Sequence, residues 1–180
     1  MRIAILSDTH DHIPNLRAAI TYCNAYGVGL LLHCGDLISP FMLEELARFN
    51  GPVHLVYGNN VGDKHLISQG CGTKYPTITH HGELGALEAG GLRIAMNHFP
   101  ILARAIARQG GFDLVCCGHN HRFGIEEIGD CLLINPGELH GGNEQPGFVI
   151  FDTNSGRPER VDIGEPFSTC ESPELQNPID

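Results

Sequence analysis

Seven side chains that can bind metal ions each follow an apolar, strand-like run of the sequence. They are Asp8, His10, Asp36, Asn59, His98, His119 and His121. In open α/β sheets, ligands bind outside the carboxyl ends of the strands, so we expect these side chains to meet at one edge. Oxygen and imidazole ligands in this number, with one carboxylate placed to bridge, indicate two metal ions and hydrolytic chemistry.

The spacing within two of the motifs favours shared ions. Asp8 and His10 are two residues apart, and so are His119 and His121. In an extended segment that spacing puts both side chains on the same side, so each pair is expected to reach one ion. A lone Asp-x-His is weak evidence and His-x-His is moderate. The ordered series SDTH, GD, GNN, a strand-end His and GHNH is a strong signal.

The residue types also suit a dinuclear centre. Asp36 can bridge because a carboxylate has two oxygens, each able to meet one cation, and Asn59 adds a neutral oxygen that keeps the site cationic. Two ions about 3.5–4 Å apart can share a water, lower its pKa and present hydroxide to phosphorus. The same ions neutralise charge on the phosphate oxygens. A ligand set without an obvious thiolate favours manganese, iron, zinc or nickel over calcium or magnesium.

The first 60 residues predict alternating strands and helices. Strands are expected at Arg2–Leu6, 28–33 and Val53–Tyr57. Helices are expected at Asn15–Tyr26, which Gly27 ends, and from Ser39-Pro40 through Phe49. Such alternation favours a parallel sheet with right-handed crossovers.

The second half predicts a different arrangement, in which strands dominate. Leu84–Glu88 and Leu92–Met96 read as a hairpin, and Pro100–Gln109 as a short helix. The segment Asp63–Pro76 between the two halves reads as a loop. A buried strand is expected at Leu114–Cys117, and antiparallel strands at Phe123–Ile128, Cys131–Ile134, Phe148–Phe151 and Arg160–Ile163. We therefore expect an α/β protein with two sheets packed face to face and helices outside.

Length and charge limit the function classes. A chain of 180 residues favours one domain, which we place at residues 1–164 with a loosely held polar tail at 165–180. The net charge of −10 and the absence of a Lys/Arg cluster argue against an extended nucleic-acid surface. Two divalent ions beside Asp8 and Asp36 would leave about two positive charges at the site. Such a site would select small or exposed phosphate esters.

The cysteines and the lack of long apolar runs indicate a cytoplasmic protein without a membrane span. The seven cysteines form no Cys-x-x-Cys pair, and neither a signal peptide nor an apolar run of about 20 residues is present. Reduced thiols are therefore expected. A Cys34 or Cys117 thiolate could bind zinc, but a small buried apolar role is the stronger interpretation.

From Met1 to about Ile163 the chain resembles the calcineurin-like metallophosphoesterases, in particular the small bacterial and archaeal phosphodiesterases. The motifs above and the segment INPGE (Ile134–Glu138) carry the resemblance. It implies a four-layer α/β/β/α sandwich of two mixed sheets flanked by helices. It also implies two divalent ions, often manganese, and a metal-bridging hydroxide as nucleophile. The implied ligands are Asp8, His10 and His121 for the first ion, Asn59, His98 and His119 for the second, and Asp36 as the bridge.

Two departures from the family pattern concern the chemistry. Most of the superfamily carries Gly-Asn-His-Asp/Glu, whose His helps to protonate the leaving group, whereas this chain has Asn60 and Val61 at the last two positions. The candidate catalytic residues are Asp36, Asn60 and His98. Without the histidine, the rate of any step that needs leaving-group protonation is expected to be lower by about 10²–10⁴-fold. Aryl phosphodiesters, whose leaving groups need little help, should be preferred. The second departure is that His98 is followed by Phe99 and Pro100, so the second outer histidine of the family pattern is missing, and Phe99 is a candidate wall of the substrate pocket.

Other interpretations stay open from the sequence. His98 taken alone is more often a structural residue, Asn59 would also suit a turn, and His33 in a buried strand is expected to be structural. The same core could serve a cyclic-nucleotide phosphodiesterase or a nuclease. A non-catalytic interaction scaffold of the same fold is a further alternative. The expected partner is a small phosphate-ester substrate, and unpaired sheet edges would permit a homo-oligomer.

Overall fold

The computed structural model describes residues 1–164, which form two β-sheets and four α-helices. The helices are α1 (Ile13–Ala25), α2 (Met42–Leu46), α3 (Lys64–Gly70) and α4 (Pro100–Gln109). The strands are β1 (Arg2–Leu6), β2 (Leu30–His33), β3 (Val53–Leu55), β4 (Ile78–His80), β5 (Leu84–Ala89), β6 (Leu92–Asn97), β7 (Leu114–Cys116), β8 (Phe123–Ile128), β9 (Cys131–Pro136), β10 (Gly147–Asp152) and β11 (Arg157–Asp162).

The first sheet has six strands in the order β11-β10-β1-β2-β3-β4. Strands β1 to β4 are parallel, with Ile3 opposite Leu30 in the first pair. On the other side of β1, strands β10 and β11 are antiparallel. Strands β1 and β2, at the centre of this sheet, are short and mainly apolar on both faces, as expected where both faces are covered.

The second sheet has five strands in the order β5-β6-β7-β9-β8. Its centre is parallel, because β6 pairs with β7 and β7 with β9 in the same direction. Its two edges are antiparallel hairpins, β5–β6 and β8–β9. Both sheets are therefore mixed.

Three apolar cores separate four layers. Leu16 and Ile20 of α1 pack with Leu43 of α2 on the outer face of the first sheet. Alternate residues of the two sheets, such as Ile5 and Met96, fill the space between them. On the far side, alanines of α4 pack on the outer face of the second sheet. The predicted four-layer α/β/β/α sandwich is confirmed.

Several sequence predictions need correction. The predicted loop Asp63–Pro76 contains α3, which begins where the Asp63 side chain caps the backbone N–H of Leu66. A further strand, β4, follows it. Helix α2 is shorter than the predicted segment from Pro40 through Phe49, since turns surround it. The late strands are not all antiparallel, because β9 joins the second sheet parallel to β7.

No helix among residues 1–164 combines the length and apolar character needed to cross a bilayer. The predicted tail at 165–180 lies outside the described residues. Six of the seven cysteines lie inside them, and these six are free thiols.

Candidate metal centre

All seven predicted ligands lie at one edge of the paired sheets, in loops that follow β1, β2, β3, β6 and β7. Strands β1, β2 and β3 run parallel to one another in the first sheet, as β6 and β7 do in the second, so their carboxyl ends within each sheet point the same way. The loops that leave them converge, and six of the seven side chains form two adjoining groups of donor atoms, with Asp36 between them. We call this rim the site edge and the rim at the amino ends of the same strands the opposite edge.

The first group consists of Asp8, His10 and His121. The Nε2 atoms of His10 and His121 are 3.2 Å apart. The Oδ1 atom of Asp8 lies 3.4 Å from His121 Nε2 and 3.8 Å from His10 Nε2. Ligands bonded at about 2.1 Å around one tetrahedral ion are about 3.4 Å apart. The three side chains therefore have the spacing of ligands to a single cation.

The second group consists of Asn59, His98 and His119. Asn59 Oδ1 lies 2.9 Å from His98 Nε2 and 2.7 Å from His119 Nδ1. His98 is buried, whereas His119 and Asn59 are exposed. The ring of Phe99 stands edge-on to both imidazoles, with centroid separations of 5.2 Å to His98 and 4.9 Å to His119. An aromatic wall thus borders the second group.

Asp36 lies between the two groups. Its Oδ2 atom is 3.4 Å from His10 Nε2 in the first group, and its Oδ1 atom is 3.5 Å from His98 Nε2 in the second. Asn60 donates its backbone N–H to Oδ1 at 2.8 Å and its side-chain amide to Oδ2 at 2.7 Å. Asn60 therefore holds the orientation of this shared carboxylate.

One atom of the first group is unsatisfied. Asp8 is fully buried, and its Oδ1 accepts no hydrogen bond from any residue between 1 and 164. Its other oxygen accepts the backbone N–H of His119 at 2.9 Å. A buried carboxylate oxygen without a partner is costly, and a cation would satisfy it. The donors facing this space are carboxylate and imidazole, so the residues fit a divalent metal ion.

The backbone at the ligands is left-handed rather than extended. The φ angles are 53° at Asp8, 43° at His10, 75° at His119 and 65° at His121. The predicted extended geometry is therefore wrong for both pairs. Asp8 and His10 still face one group, but His119 lies in the second group and His121 in the first, so the histidine pair does not meet at one ion. A tight loop at the end of each strand aims the side chains, and such strained residues persist where the surrounding structure holds them for function.

Two motif glycines give the ligands room. A Cβ at Gly58 would overlap Oδ1 of Asp36 and lie 2.5 Å from the Asp36 backbone nitrogen. A Cβ at Gly118 would overlap Ser7 Oγ and lie 2.5 Å from Oδ2 of Asp8. The glycine of each motif thus allows a close approach to a ligand from another motif.

The imidazoles of His98 and His121 are each held by their outer nitrogen. Nδ1 of His98 lies 2.9 Å from the carbonyl oxygen of Cys34. Because a carbonyl only accepts, Nδ1 carries the proton and Nε2 faces Asp36 with its lone pair. Nδ1 of His121 contacts a carboxylate oxygen of Glu138 in the same way. The sequence motif INPGE includes Glu138 but gives no indication of this role.

Neighbouring side chains favour the ionised form of Asp8. Burial alone would raise the pKa of Asp8, but His10, His98, the Ser7 hydroxyl and His121 outweigh it and the pKa is lowered. The contact with Asp8 in turn raises the pKa of His10. An anionic Asp8 is the form that binds a cation.

Three further residues have structural roles: His33, Cys34 and Cys117. Burial lowers the pKa of His33 to about 4, and its Nε2 pairs with the Thr9 hydroxyl at 2.6 Å. Burial also raises the pKa of the thiols of Cys34 and Cys117 well above the ordinary value. A zinc-binding thiolate at either position is therefore disfavoured, which supports the apolar interpretation.

A match to the calcineurin-like phosphoesterase superfamily domain spans residues 1–156. The chain belongs to this superfamily. It is 35% identical over 147 residues to a phosphodiesterase of Methanocaldococcus jannaschii, covering 78% of this chain and 86% of that protein. It is 33% identical over 147 residues to a probable metallophosphoesterase of Methanothermobacter thermautotrophicus, covering 76% of each chain.

Solved structures agree with the fold. The structure of an archaeal phosphodiesterase superposes with a TM-score of 0.85 at 31% identity, covering 91% of this chain and 100% of that one. Zinc-bound Vps29 of Entamoeba histolytica superposes with a TM-score of 0.67 at 20% identity, covering 91% of this chain and 100% of that one, and shares the fold. The predicted family and the predicted class of enzyme, a metal-dependent phosphoesterase, are confirmed.

Proposed function

We propose that this phosphoesterase is a dinuclear phosphodiesterase that hydrolyses small phosphodiesters. The observation that carries the proposal is the position of Asp36, whose two oxygens face two separate groups of donor atoms. Asp8, His10 and His121 would hold one ion and Asn59, His98 and His119 the other. When bound, divalent ions supply the Lewis acidity that activates water and offsets the charge of the phosphate group.

Manganese is the proposed metal, with iron, zinc or nickel as alternatives. The donors facing the centre are carboxylate, amide and imidazole, without an available thiolate. Such a set binds first-row divalent ions, and the supply of each metal then decides between them. The ordered imidazoles of His98 and His121, with Nε2 free to bind, favour these ions over calcium or magnesium.

The surroundings of the centre favour small substrates. The chain carries a net charge of −10, so its general surface repels a long polyanion. His119 and Asn59 open the second group to solvent, and the half-buried ring of Phe99 lies beside them. A small diester can place its phosphate over the donor groups and an aromatic substituent against this ring. Cyclic nucleotides meet this description, whereas a long nucleic acid does not.

The leaving group receives little assistance from this chain. Asn60 stands where the general superfamily pattern has a histidine, and both its backbone and side-chain N–H groups are directed at Asp36. Asn60 therefore acts as a positioning residue for the shared carboxylate and does not supply a proton. We expect rates to fall steeply as the pKa of the leaving alcohol rises, which a series of aryl and alkyl methylphosphonate or phosphate diesters would measure. Equal rates across the series would contradict the expectation.

The proposal is tested by hydrolysis of a chromogenic aryl phosphodiester with and without added manganese. Asp36→Asn should lower the rate by about 10³-fold or more, because a bridging carboxylate contributes several kcal/mol to the centre. Asp130→Asn, at an exposed turn of the opposite edge, is the matched control and should keep the wild-type rate. A folded wild-type protein that is inactive with every divalent ion would favour the non-catalytic scaffold instead. Cytoplasmic location and self-association stay predictions.

A further inference from the structure

A buried carboxylate behind the first donor group is not explained by the ligand set. Glu138 follows β9, and its side chain has no exposed surface. Its two oxygens face different partners. Oε1 accepts the backbone N–H groups of Asn143 at 2.5 Å and Glu144 at 2.7 Å, and Oε2 contacts Nδ1 of His121. Glu138 thus links the backbone of Asn143 and Glu144 to His121, a predicted metal ligand.

The contact with His121 requires a proton on Nδ1. A carboxylate oxygen and a bare imidazole nitrogen are both acceptors and would repel each other at this separation. Asn143 places its Nδ2 3.0 Å from the same Nδ1, but an amide NH₂ group cannot accept a proton. Glu138 is therefore the group that fixes the proton on Nδ1. It leaves the lone pair of Nε2, 3.4 Å from Asp8 Oδ1, for a cation that both atoms would bind.

We propose that Glu138 is a positioning residue for metal binding, which selects the Nδ1–H tautomer of His121 and holds its Nε2 against Asp8 and His10. The inference rests on the proposed metal centre. A hydrogen bond from the outer nitrogen of a ligating histidine to a carboxylate orients the ring and strengthens it as a ligand. It also puts a third carboxylate, after Asp8 and Asp36, beside the first donor group.

The two donor groups should consequently bind ions unequally. The first group has Glu138 behind His121, whereas His98 in the second group is held by the neutral carbonyl of Cys34. Added negative charge and a fixed ring favour cation binding at the first group. The second group shares only Asp36 as an anion, so its ion should be the weaker and more easily exchanged.

The test uses the full chain and needs no substrate. Long-range ¹H–¹⁵N NMR on metal-free protein reports which nitrogen of His121 is protonated, and calorimetric titration with Mn²⁺ reports affinity. Glu138→Gln should lose the preference for the Nδ1–H tautomer and weaken the tighter Mn²⁺ site by about 10–100-fold. Asn143→Ala removes the neighbouring amide but keeps the backbone N–H, so it should leave both readouts near wild type. Glu138→Asp, which keeps the charge, should restore part of the affinity.

Two results would overturn the inference. One is a wild-type His121 that carries its proton on Nε2, which can be read even if Glu138→Gln does not fold. The other is a folded Glu138→Gln protein with wild-type tautomer and Mn²⁺ affinity. If the protein hydrolyses no phosphodiester, the NMR and calorimetric results still stand, so failure of the proposed function is seen separately.

Discussion

Both edges of the paired sheets contain loops with positive φ angles, but different types of residue adopt them. At the opposite edge, left-handed conformations in the turns between described elements fall on glycines, including Gly27, Gly129 and Gly156. At the site edge, they also fall on residues with side chains. Within residues 1–164, every non-glycine residue with a positive φ lies in a loop of the site edge: Asp8, His10, Asp11, Asp36, Ile38, His119 and His121.

This difference shows which constraint governs each edge. A glycine adopts positive φ without steric cost, so a turn that only reverses the chain uses one. Other residues lose about 1–2 kcal/mol in this region. The site edge retains that cost at five of the seven proposed ligands because a glycine there would supply no donor atom. Strain at these loops therefore falls on proposed metal ligands, whereas glycines at the opposite edge serve stability.

Among substitutions that test this difference in backbone conformation and close packing, the largest effect is expected from adding one methyl group at the site edge. In Gly58→Ala the new Cβ would overlap the carboxylate of Asp36 and must displace it. A displacement of about 1 Å at the reacting centre can cost about 10²-fold in rate. Manganese-dependent diesterase activity should fall by about that factor, with a parallel loss of Mn²⁺ affinity.

The matched control for this change is Gly29→Ala at the opposite edge. Its Cβ would meet the side-chain Cγ of Met1 at 3.2 Å, and that flexible chain can move aside. Activity should stay at the wild-type level. If both alanine variants were equally active, close approach at Gly58 would not be needed for the shared carboxylate.

A smaller effect, on stability alone, is expected at the opposite edge. Gly129 has a φ of 61° in the β8–β9 turn, and a Cβ at this position would meet no described atom within 4 Å. Gly129→Ala should lower the free energy of unfolding by about 1 kcal/mol, since left-handed strain exceeds the gain from a less flexible unfolded chain. Chemical denaturation measures the loss, and activity below the unfolding transition should not change.

The smallest effect is a difference in stability between two variants at the site edge. His119 is exposed and has a φ of 75°. His119→Gly and His119→Ala both remove the imidazole, but only glycine relieves the backbone. The glycine variant should be the more stable by roughly 0.5 kcal/mol, with both variants impaired in Mn²⁺ binding. Greater stability of the alanine variant would show that this loop carries no strain.

The chemical character of the site and the positions of most strands could be predicted from the sequence alone. Asp36 and His98 could be found because each lies within three residues of the end of a buried strand, and parallel strands end at one edge. The β5–β6 hairpin was predictable from Gly90 and Gly91. Helix α3 was missed although Asp63 supplied a capping signal, because few apolar residues follow it.

Other features had no local signal. A positive φ at Asp8 or His121 cannot be deduced from residues that usually avoid it, and it depends on neighbouring loops. Glu138 follows an Asn-Pro-Gly turn, where an acidic residue would ordinarily face solvent, and only the assembled fold buries it against His121. The carbonyl of Cys34, which orients His98, is a backbone atom whose role no residue type could reveal.

The most direct test of the two-group account is an anomalous-diffraction map from crystals grown with excess Mn²⁺. The account predicts two peaks about 3.5–4 Å apart, with Asp36 contacting both. One peak should lie among Asp8, His10 and His121, with the higher occupancy when Mn²⁺ is limiting, and the other among Asn59, His98 and His119. A single peak at saturating Mn²⁺, or an Asp36 side chain turned away from both groups, would contradict it.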